Sequence, residues 1–226
     1  MSEPFRICIS ASFTAEPLEP VLKFWAGQLG VDFAVHFAPF QQVIQTFLDP
    51  AGLFASNQHG VNVALVRVSD LGARAVENAE EIAAALRTAA RRDACPLIFV
   101  LCPDHEEAAG EAVRATRVLM EAADERSWDY RAIDRIYPVT GKFDLTADRL
   151  GAIPYTANYF AALGTALARR IAAVSLVPFK AVAMDCDNTL WEGICGEDGP
   201  AGVSLGAGRR VLQEFLLRQR AAMIVG

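Results

Sequence analysis

Apolar and amphipathic segments alternate along most of this chain. Short runs rich in β-branched and aromatic residues have the length of buried strands, and the longer stretches between them carry apolar residues at helical spacing. The pattern predicts strands at 6–9, 31–37, 61–68, 96–102 and 130–136, and helices at 18–29, 40–48, 75–91, 106–123 and 156–173. Strands that alternate with helices indicate a parallel sheet covered by helices on both faces.

We therefore predict a three-layer α/β domain over residues 1–175 and the start of a second α/β domain over residues 179–226. In the second domain the pattern predicts in turn a strand, a Gly-rich turn region, a helix and a short apolar stub, at 179–184, 193–208, 209–220 and 221–225.

Composition narrows the class of protein. Hydrophobic residues make up 53% of the 226 residues and charged residues 21%, which supports a sizeable core. The net charge of −6 disfavours a nucleic-acid-binding surface. No apolar run has the roughly 18 residues of a membrane span, and the N-terminus lacks the features of a signal peptide. Five cysteines without CxxC spacing predict reduced thiols in a cytoplasmic protein rather than disulfides or zinc.

Two carboxylates, Asp185 and Asp187, follow the apolar run 179–184 directly. Placing like charges close together at the end of a buried strand is costly, and a divalent cation with oxygen ligands, such as Mg²⁺, makes it tolerable. Asp185 then suits a nucleophile toward phosphorus and Asp187 a general acid and base, while Thr189 would hold the loop.

A simpler interpretation of the same residues is an ordinary turn, with Asp185 as a turn residue and Asn188 as a cap. A bare Asp-x-Asp pair favours that interpretation. The preceding apolar strand, the complete Asp-x-Asp-x-Thr pattern and the Leu-Trp-Glu-Gly continuation at 190–193 favour the catalytic one.

Residues 183–199, AMDCDNTLWEGICGEDG, resemble the first motif and the following flap of the haloacid-dehalogenase superfamily. More narrowly, the segment is similar to the FkbH-like branch of that superfamily, which has an N-terminal accessory domain of the SGNH-hydrolase or flavodoxin-like α/β type. Five earlier segments are similar to that accessory domain, namely 10–18, 37–42, 48–50, 60–63 and 153–156.

The resemblance implies Mg²⁺-dependent phosphoryl chemistry. Asp185 would be the phosphoryl nucleophile and a metal ligand, and Asp187 would be the acid and base that also binds the metal through its backbone carbonyl. The implied substrate is a phosphorylated three-carbon acid, whose glyceryl unit is moved with loss of phosphate to the pantetheine thiol of an acyl carrier protein for polyketide-type biosynthesis.

The sequence departs from the superfamily in one respect. The superfamily also uses a Ser or Thr after its second strand, a Lys farther on and a distal acidic residue for the metal, and the stub at 221–225 would be the second strand. We therefore expect the chain to be part of a longer protein and inactive alone.

Two cysteines lie near the acidic pair. A thiol at Cys195, in the flap, could accept the glyceryl group before its transfer. The alternative is that both Cys195 and Cys186 are small packed side chains, which we expect for Cys186.

The accessory domain offers a second candidate site. In the SGNH type a Ser follows the first strand and a late Asp-x-x-His completes the catalytic set, so Ser10 or Ser12 could occupy the Ser position. The late segment 148–156 contains no histidine, and a Ser without a base is poorly activated. We expect a degenerate docking domain with Ser12 or Thr14 as a helix cap, and Asn57 either in a turn or facing the crevice at the strand ends.

Two classes of function remain open. The first is part of an FkbH-like phosphatase and glyceryl transferase. The second is a non-catalytic α/β module that binds a carrier protein or a partner domain, and a simple hydrolase that uses Ser10 or Ser12 ranks behind both.

Overall fold

The computed structural model describes residues 4–30, 33–105, 109–124, 127–175, 183–199 and 201–223. The chain divides into two compact units, Met1–Leu176 and Val177–Gly226. Each unit is an independent cluster of contacts with its own secondary structure.

The first unit is built on a parallel sheet of five strands in the order β2-β1-β3-β4-β5. The strands are β1 Phe5–Ala11, β2 Phe33–Phe37, β3 Gly60–Val66, β4 Leu97–Leu101 and β5 Ser127–Asp129. The helices are α1 Glu19–Leu29, α2 Val43–Leu48, α3 Ala75–Arg92, α4 Glu111–Ala123, α5 Tyr130–Ile136, α6 Leu145–Gly151 and α7 Ala157–Ser175. All four strand pairings are parallel, as the alternation of strands and helices predicts.

Helices cover both faces of this sheet because successive side chains of a strand point to opposite faces. Ile7 and Ile9 belong to the apolar cluster that includes residues of α1 and α7. Cys8, between them, belongs to the cluster that includes residues of α2, α3 and α4. The predicted three-layer α/β architecture is therefore confirmed.

The last part of the sheet differs from the prediction. Residues 130–136, predicted as a strand, form the helix α5, and the edge strand β5 is the preceding segment Ser127–Asp129. Asp129 caps this helix, since its carboxylate accepts the N–H of Arg131 at 2.9 Å. An N-cap of this kind fixes the start of a helix, so the apolar residues of 130–136 form one helical face and not an alternating strand.

Thr156 caps α7, because its hydroxyl accepts the N–H of Tyr159 at 3.4 Å in the first turn of that helix. Thr14, which was expected to cap a helix, does not, because its hydroxyl donates to the carbonyl of Gly151 at 2.6 Å. That bond links the end of β1 to the helix α6, which the sequence pattern did not predict.

The second unit contains the helices α8 (Cys195–Asp198) and α9 (Ala207–Met223), with single bridges at Asp187–Trp191 and Glu192–Ser204. The strand predicted at 179–184 lies mostly outside the described residues, and its last two residues are not in a strand. The apolar stub was wrong as far as it is described, because residues 221–223 continue α9.

Candidate functional site

The segment that carries the two carboxylates is a tight loop. The carbonyl of Cys186 accepts the N–H of Leu190 at 2.8 Å and that of Thr189 at 3.2 Å. Asn188 has a φ of 58°, a left-handed conformation that Asn adopts more readily than most residues. Local sequence chemistry therefore explains the reversal of the chain between Asp187 and Trp191.

Asp187 anchors the residues that follow the loop. Its Oδ1 accepts the indole Nε1–H of Trp191 at 2.9 Å and the backbone N–H of Cys195 at 3.1 Å. The same oxygen thus holds a side chain four residues on and the first turn of α8. Bonds of this kind to a carboxylate are stronger than bonds between neutral groups, so Asp187 is fixed in place.

Asp185 is in a different situation. It is exposed, and its Oδ1 accepts the N–H of its neighbour Cys186 at 2.9 Å. No side-chain donor to Asp185 occurs within the described residues. One of the two predicted catalytic carboxylates is therefore structurally engaged, while the other is accessible.

The flap after the loop closes back on it through Asn188 and Glu192. The Asn188 Oδ1 accepts the N–H of Gly193 at 3.0 Å. Glu192 exchanges two backbone bonds with Ser204, at 2.8 and 3.0 Å, and its carboxylate pairs with Arg209 at 3.3 Å.

Helix α9 is attached to the loop by two further bonds. Arg209 donates to the carbonyl of Asn188 at 3.4 Å, and the Gln213 amide donates to the carbonyl of Leu190 at 2.6 Å. The loop, the flap and α9 are thereby joined as one bonded assembly.

The structure brings together most of the residues predicted for this site. Asp187, Thr189 and Cys195 all lie in the bonded loop and flap, with Asp185 at its open side. Thr189 holds the loop through its main-chain N–H. The backbone N–H of Cys195 bonds to Asp187, and the half-buried Cys195 thiol has no hydrogen-bond partner among the described residues. Their chemical roles remain predictions.

The charge of the loop and flap suits a cation. Residues 183–199 contain five acidic residues and no Lys or Arg. Within the described ranges, however, no group of three or more His, Cys, Asp or Glu side chains is arranged to hold a metal ion. The described site thus offers the carboxylate of Asp185 and nearby main-chain oxygens, which is an oxygen donor set of the kind that Mg²⁺ prefers.

The second candidate site lies at the carboxyl edge of the sheet in the first unit. Ser12 follows β1, and its hydroxyl donates to Asp70 at 2.6 Å and accepts the N–H of Arg67 at 3.0 Å. The Arg67 guanidinium binds both Asp70 and Asp148, with its contacts to Asp148 at 2.8 and 3.1 Å. We call Ser12, Arg67, Asp70 and Asp148 the strand-end network.

Asp148, the acidic residue of the late segment 148–156, lies near Ser12, because Arg67 bonds to both of them. Three residues on, where a histidine would complete the set, stands Gly151, whose carbonyl accepts the Thr14 hydroxyl. Ser12 is therefore bonded to a carboxylate and lacks a histidine partner among the described residues. Its expected role as a helix cap is wrong.

Ser10 is also engaged within the protein. It is fully buried, and its hydroxyl bonds to Thr46 on α2 at 3.2 Å. Thr46 in turn donates to the carbonyl of Gln42 at 2.6 Å, so the chain of hydroxyls ends on a main-chain oxygen. Neither serine is presented as an activated nucleophile.

Arg67 is the residue that sequence reasoning missed. It is 7% exposed, and burial alone lowers the pKa of a guanidinium, but the bonds to Asp70 and Asp148 outweigh burial and hold the pKa of Arg67 above its ordinary value. The available signal was a single arginine directly after an apolar strand. Nothing in the sequence pairs it with a carboxylate 81 residues away.

Asp104 follows β4 at this edge and accepts from the hydroxyl and the N–H of Ser69. Burial raises the pKa of Asp104 above its ordinary value, and the Ser69 bonds only partly oppose it. The carboxyl edge of the sheet is thus filled with internally paired polar groups.

Asn57 lies at the other end of the strands, where the parallel strands begin. It is fully buried, and its amide donates to Asn62 at 3.0 Å and to the carbonyl of Val61 at 3.3 Å, at the beginning of β3. The alternative in which Asn57 faces the crevice near Ser10 and Ser12 is therefore wrong. Its amide closes the connection into β3.

In the part of the chain that the structure describes, no helix combines the length and apolar character needed to cross a membrane.

Comparison with known proteins gives a similarity of fold to a solved structure. No family model matches the chain, and no curated protein matches it. The fold is similar to the crystal structure of the N-terminal part of the protein BF1531 from Bacteroides fragilis, which contains a phosphatase domain and is complexed with Mg. The TM-score is 0.69 at 16% sequence identity, over 98% of this chain and 67% of that one. At this identity the similarity establishes a shared fold.

Proposed function

We propose that this chain carries the nucleophile loop of a Mg²⁺-dependent phosphatase and glyceryl transferase of the FkbH-like type. Asp185 attacks phosphorus while Asp187 gives a proton to the leaving oxygen, which leaves an aspartyl phosphate. Asp187 then takes a proton from water, the water oxygen attacks phosphorus, and inorganic phosphate is released. The transfer to a carrier protein is a separate reaction of an intact acyl phosphate, in which no aspartyl phosphate forms. The carrier-protein thiol attacks the acyl carbon, the bond between that carbon and the phosphate oxygen breaks, and inorganic phosphate leaves with the thiol proton.

The observation that carries the proposal is that the two carboxylates differ in exposure and in hydrogen bonding. Asp185 is exposed and free to meet a phosphate, whereas Asp187 is held by Trp191 and Cys195 through one oxygen only. The other oxygen of Asp187 has no bond of its own among the described residues and is available for proton transfer. The similarity in fold to a protein that contains a phosphatase domain complexed with Mg also supports the proposal.

Mg²⁺ fits the donor set of this loop. Proteins commonly hold it with one or two carboxylates, while water and substrate phosphate supply the remaining ligands. The Asp185 carboxylate and the main-chain carbonyl of Asp187 would hold the ion here. When bound, it would neutralise charge on the phosphate oxygens.

The decisive experiment replaces Asp185 with Asn in the complete product of the gene, including whatever follows the Gly226 codon. We expect Asp185→Asn to abolish Mg²⁺-dependent phosphate release from a small acyl phosphate. The variant should also form no aspartyl phosphate, which intact-protein mass spectrometry detects in the wild type. The rate of phosphate release should fall at least about a thousandfold, because the Asn amide cannot act as the nucleophile in place of the carboxylate.

The matched control is Glu197→Gln, which also removes one negative charge from an exposed position of the flap. It should keep phosphate release within about twofold, because exposed charges are screened. Equal activity of Asp185→Asn and Glu197→Gln would contradict the proposal.

A second function is favoured by the strand-end network. With Ser12 bonded to Asp70 and Arg67, the first unit has the fold of an α/β enzyme with its serine site filled, which supports a docking module for a carrier protein or partner domain. A serine-directed ester probe should therefore leave Ser10 and Ser12 unlabelled, and acyl carrier protein should bind the whole chain. Labelling of either serine would favour the hydrolase instead.

A further inference from the structure

The strand β2 forms one edge of the sheet in the first unit. It pairs with β1 on one side and has no strand on the other within the described residues. Its sequence, Phe33–Phe37, is FAVHF, which has no formal charge when the histidine is neutral. Proteins usually protect an exposed edge with charges, proline or a bulge, because its free main-chain groups are ready to pair with another strand.

One hydrogen bond shows which main-chain groups of β2 are free. The N–H of Ala38 donates to the carbonyl of Ile9 in β1 at 2.7 Å. Along a parallel strand, residues alternate between pointing both main-chain groups to one neighbour and pointing both to the other side. His36 and Ala34 therefore face β1, and the main-chain groups of Phe33, Val35 and Phe37 point outward.

The outward groups are complementary to themselves. If a second copy of β2 lies antiparallel with Val35 opposite Val35, then Phe33 lies opposite Phe37 and Phe37 opposite Phe33. All three are hydrogen-bonded pairs, in which each residue donates one N–H and accepts one. This register satisfies all six outward groups of each strand, and a shift by two residues leaves some of them unpaired.

The side chains agree with this register. Phe33, Val35 and Phe37 all lie on the face of the sheet that packs against the cluster of α1 and α7. Across the two-fold axis Phe33 meets Phe37, an aromatic cross-strand pair of the kind that stabilises sheets. On the other face each His36 lies opposite Ala34, so no like charges face each other directly.

Two exposed apolar residues also lie near β2 in the sequence. Leu29 is 46% exposed and precedes β2 by four residues, and Phe40 is 52% exposed and follows it by three. Pro39 lacks an N–H and ends the run that can pair.

We propose that β2 is a dimerisation edge. Two copies of this chain would pair their β2 strands antiparallel and so join their five-stranded sheets into one continuous sheet. The partner is a second copy of the chain, because the outward main-chain groups and the side chains of β2 complement themselves, as a symmetric dimer interface requires. This surface is distinct from the loop that carries the proposed catalysis, so the two proposals fail independently.

Sedimentation velocity over the micromolar range tests the proposal with the whole chain. We expect a monomer–dimer equilibrium, and we expect Val35→Pro to raise the dimer Kd roughly thirtyfold, because it removes both central N–H donors. The ladder to β1 should survive, since the Val35 N–H points outward, and proline is tolerated at such edge positions.

A charge pair serves as an independent check should the proline disturb folding. His36→Lys places two positive charges at diagonal positions of the dimer and should weaken it, whereas Thr88→Lys makes a similar change on the exposed face of α3 and should not. Backbone exchange gives the positional readout. Protection of the Val35 and Phe37 amides should rise with protein concentration, while that of Ala38 stays constant.

Three results would overturn the inference. They are a chain that stays monomeric throughout, a dimer that both Val35→Pro and His36→Lys leave intact, and a dimer in which the Val35 and Phe37 amides exchange as fast as in the monomer.

Discussion

Burial gives the cysteines of this protein very different chemical properties. Cys8 is fully buried in β1, and burial raises its pKa from 9.0 to about 11. Cys102 is buried at the end of β4, and burial raises its pKa still further. Cys186, in the acidic loop, is exposed, so the expectation that it is a packed side chain is wrong. A thiol reacts as its thiolate, so the buried residues should be inert and the exposed one reactive.

Alkylation of the native chain at pH 8 should therefore modify Cys186 and spare Cys8 and Cys102, as read by peptide mass. Above pH 9 the unfolded chain loses the Cys8 proton while the folded chain keeps it. The stabilising contribution of the neutral thiol is complete below about pH 9 and is lost as the pH rises through about 11. Its size is about 2–3 kcal/mol.

Urea unfolding between pH 8 and pH 11 measures this loss. Cys8→Ala should reduce the fall of the free energy of unfolding with pH, because it removes the group that titrates. A wild-type free energy of unfolding that is level across this range would contradict the assignment.

Single residues also account for what the sequence could reveal. Asp185, Asp187 and Thr189 were placed in one loop by their spacing alone, because all the contacts are local. Arg67 could not be paired with Asp148 in this way, since their contact depends on how the α6 segment returns to the sheet. Asp129 carried a visible capping signal that the apolar pattern of the next residues concealed.

At the scale of the elements, the sheet depends on the close approach of β1 and β3. Gly60 lies opposite Arg6 in that pairing, and a Cβ at Gly60 would lie 1.9 Å from the Arg6 carbonyl oxygen. Such a contact is impossible without moving one strand. The glycine is thus required by the spacing of two backbones.

Gly60→Ala should accordingly lower the free energy of unfolding by about 3 kcal/mol, as in other overpacked cores. Gly27→Ala in α1 is the matched control, because a Cβ there meets no atom within 4 Å. That change should stabilise the chain by about 0.5–1 kcal/mol through helix propensity. Urea denaturation of both variants provides the test, and equal effects would refute the close approach.

The order of elements was more predictable than their boundaries. Alternating apolar and amphipathic runs identified the first four strands and the long helices, since those patterns reflect burial directly. The sequence pattern did not predict the short helix α6. Asp144 caps this helix by accepting the N–H groups of Thr146 and Ala147 at 3.1 and 2.9 Å. A helix of seven residues has too few apolar positions to show a period.

At the scale of the whole first unit, the strand-end network joins segments that are far apart in sequence. Arg67 follows β3, Ser12 follows β1, and Asp148 belongs to α6. Removing the arginine leaves two carboxylates facing each other with little water to screen them. Breaking a buried ion pair in this way costs far more than the intact pair contributes.

Arg67→Met should therefore destabilise the chain by about 3–5 kcal/mol in urea unfolding. Asp148→Asn should cost only about 1 kcal/mol, because the Asp148 side chain is 26% exposed. Adding Asp70→Asn and Asp148→Asn to Arg67→Met should recover much of the loss. An Arg67→Met variant as stable as the wild type would show that the network contributes little.

The strand-end network also limits the routes by which this sequence can evolve. A change at position 67 leaves two carboxylates without their cation, while a change at position 70 or 148 leaves Arg67 with one carboxylate, so these positions are exchanged more easily together than one at a time. A histidine introduced at position 151 would find the Asp148 carboxylate already bound by Arg67, so it could gain that partner only if position 67 changed as well. Substitutions in the strand-end network should therefore occur in groups, and a sequence that keeps Arg67 should keep both carboxylates.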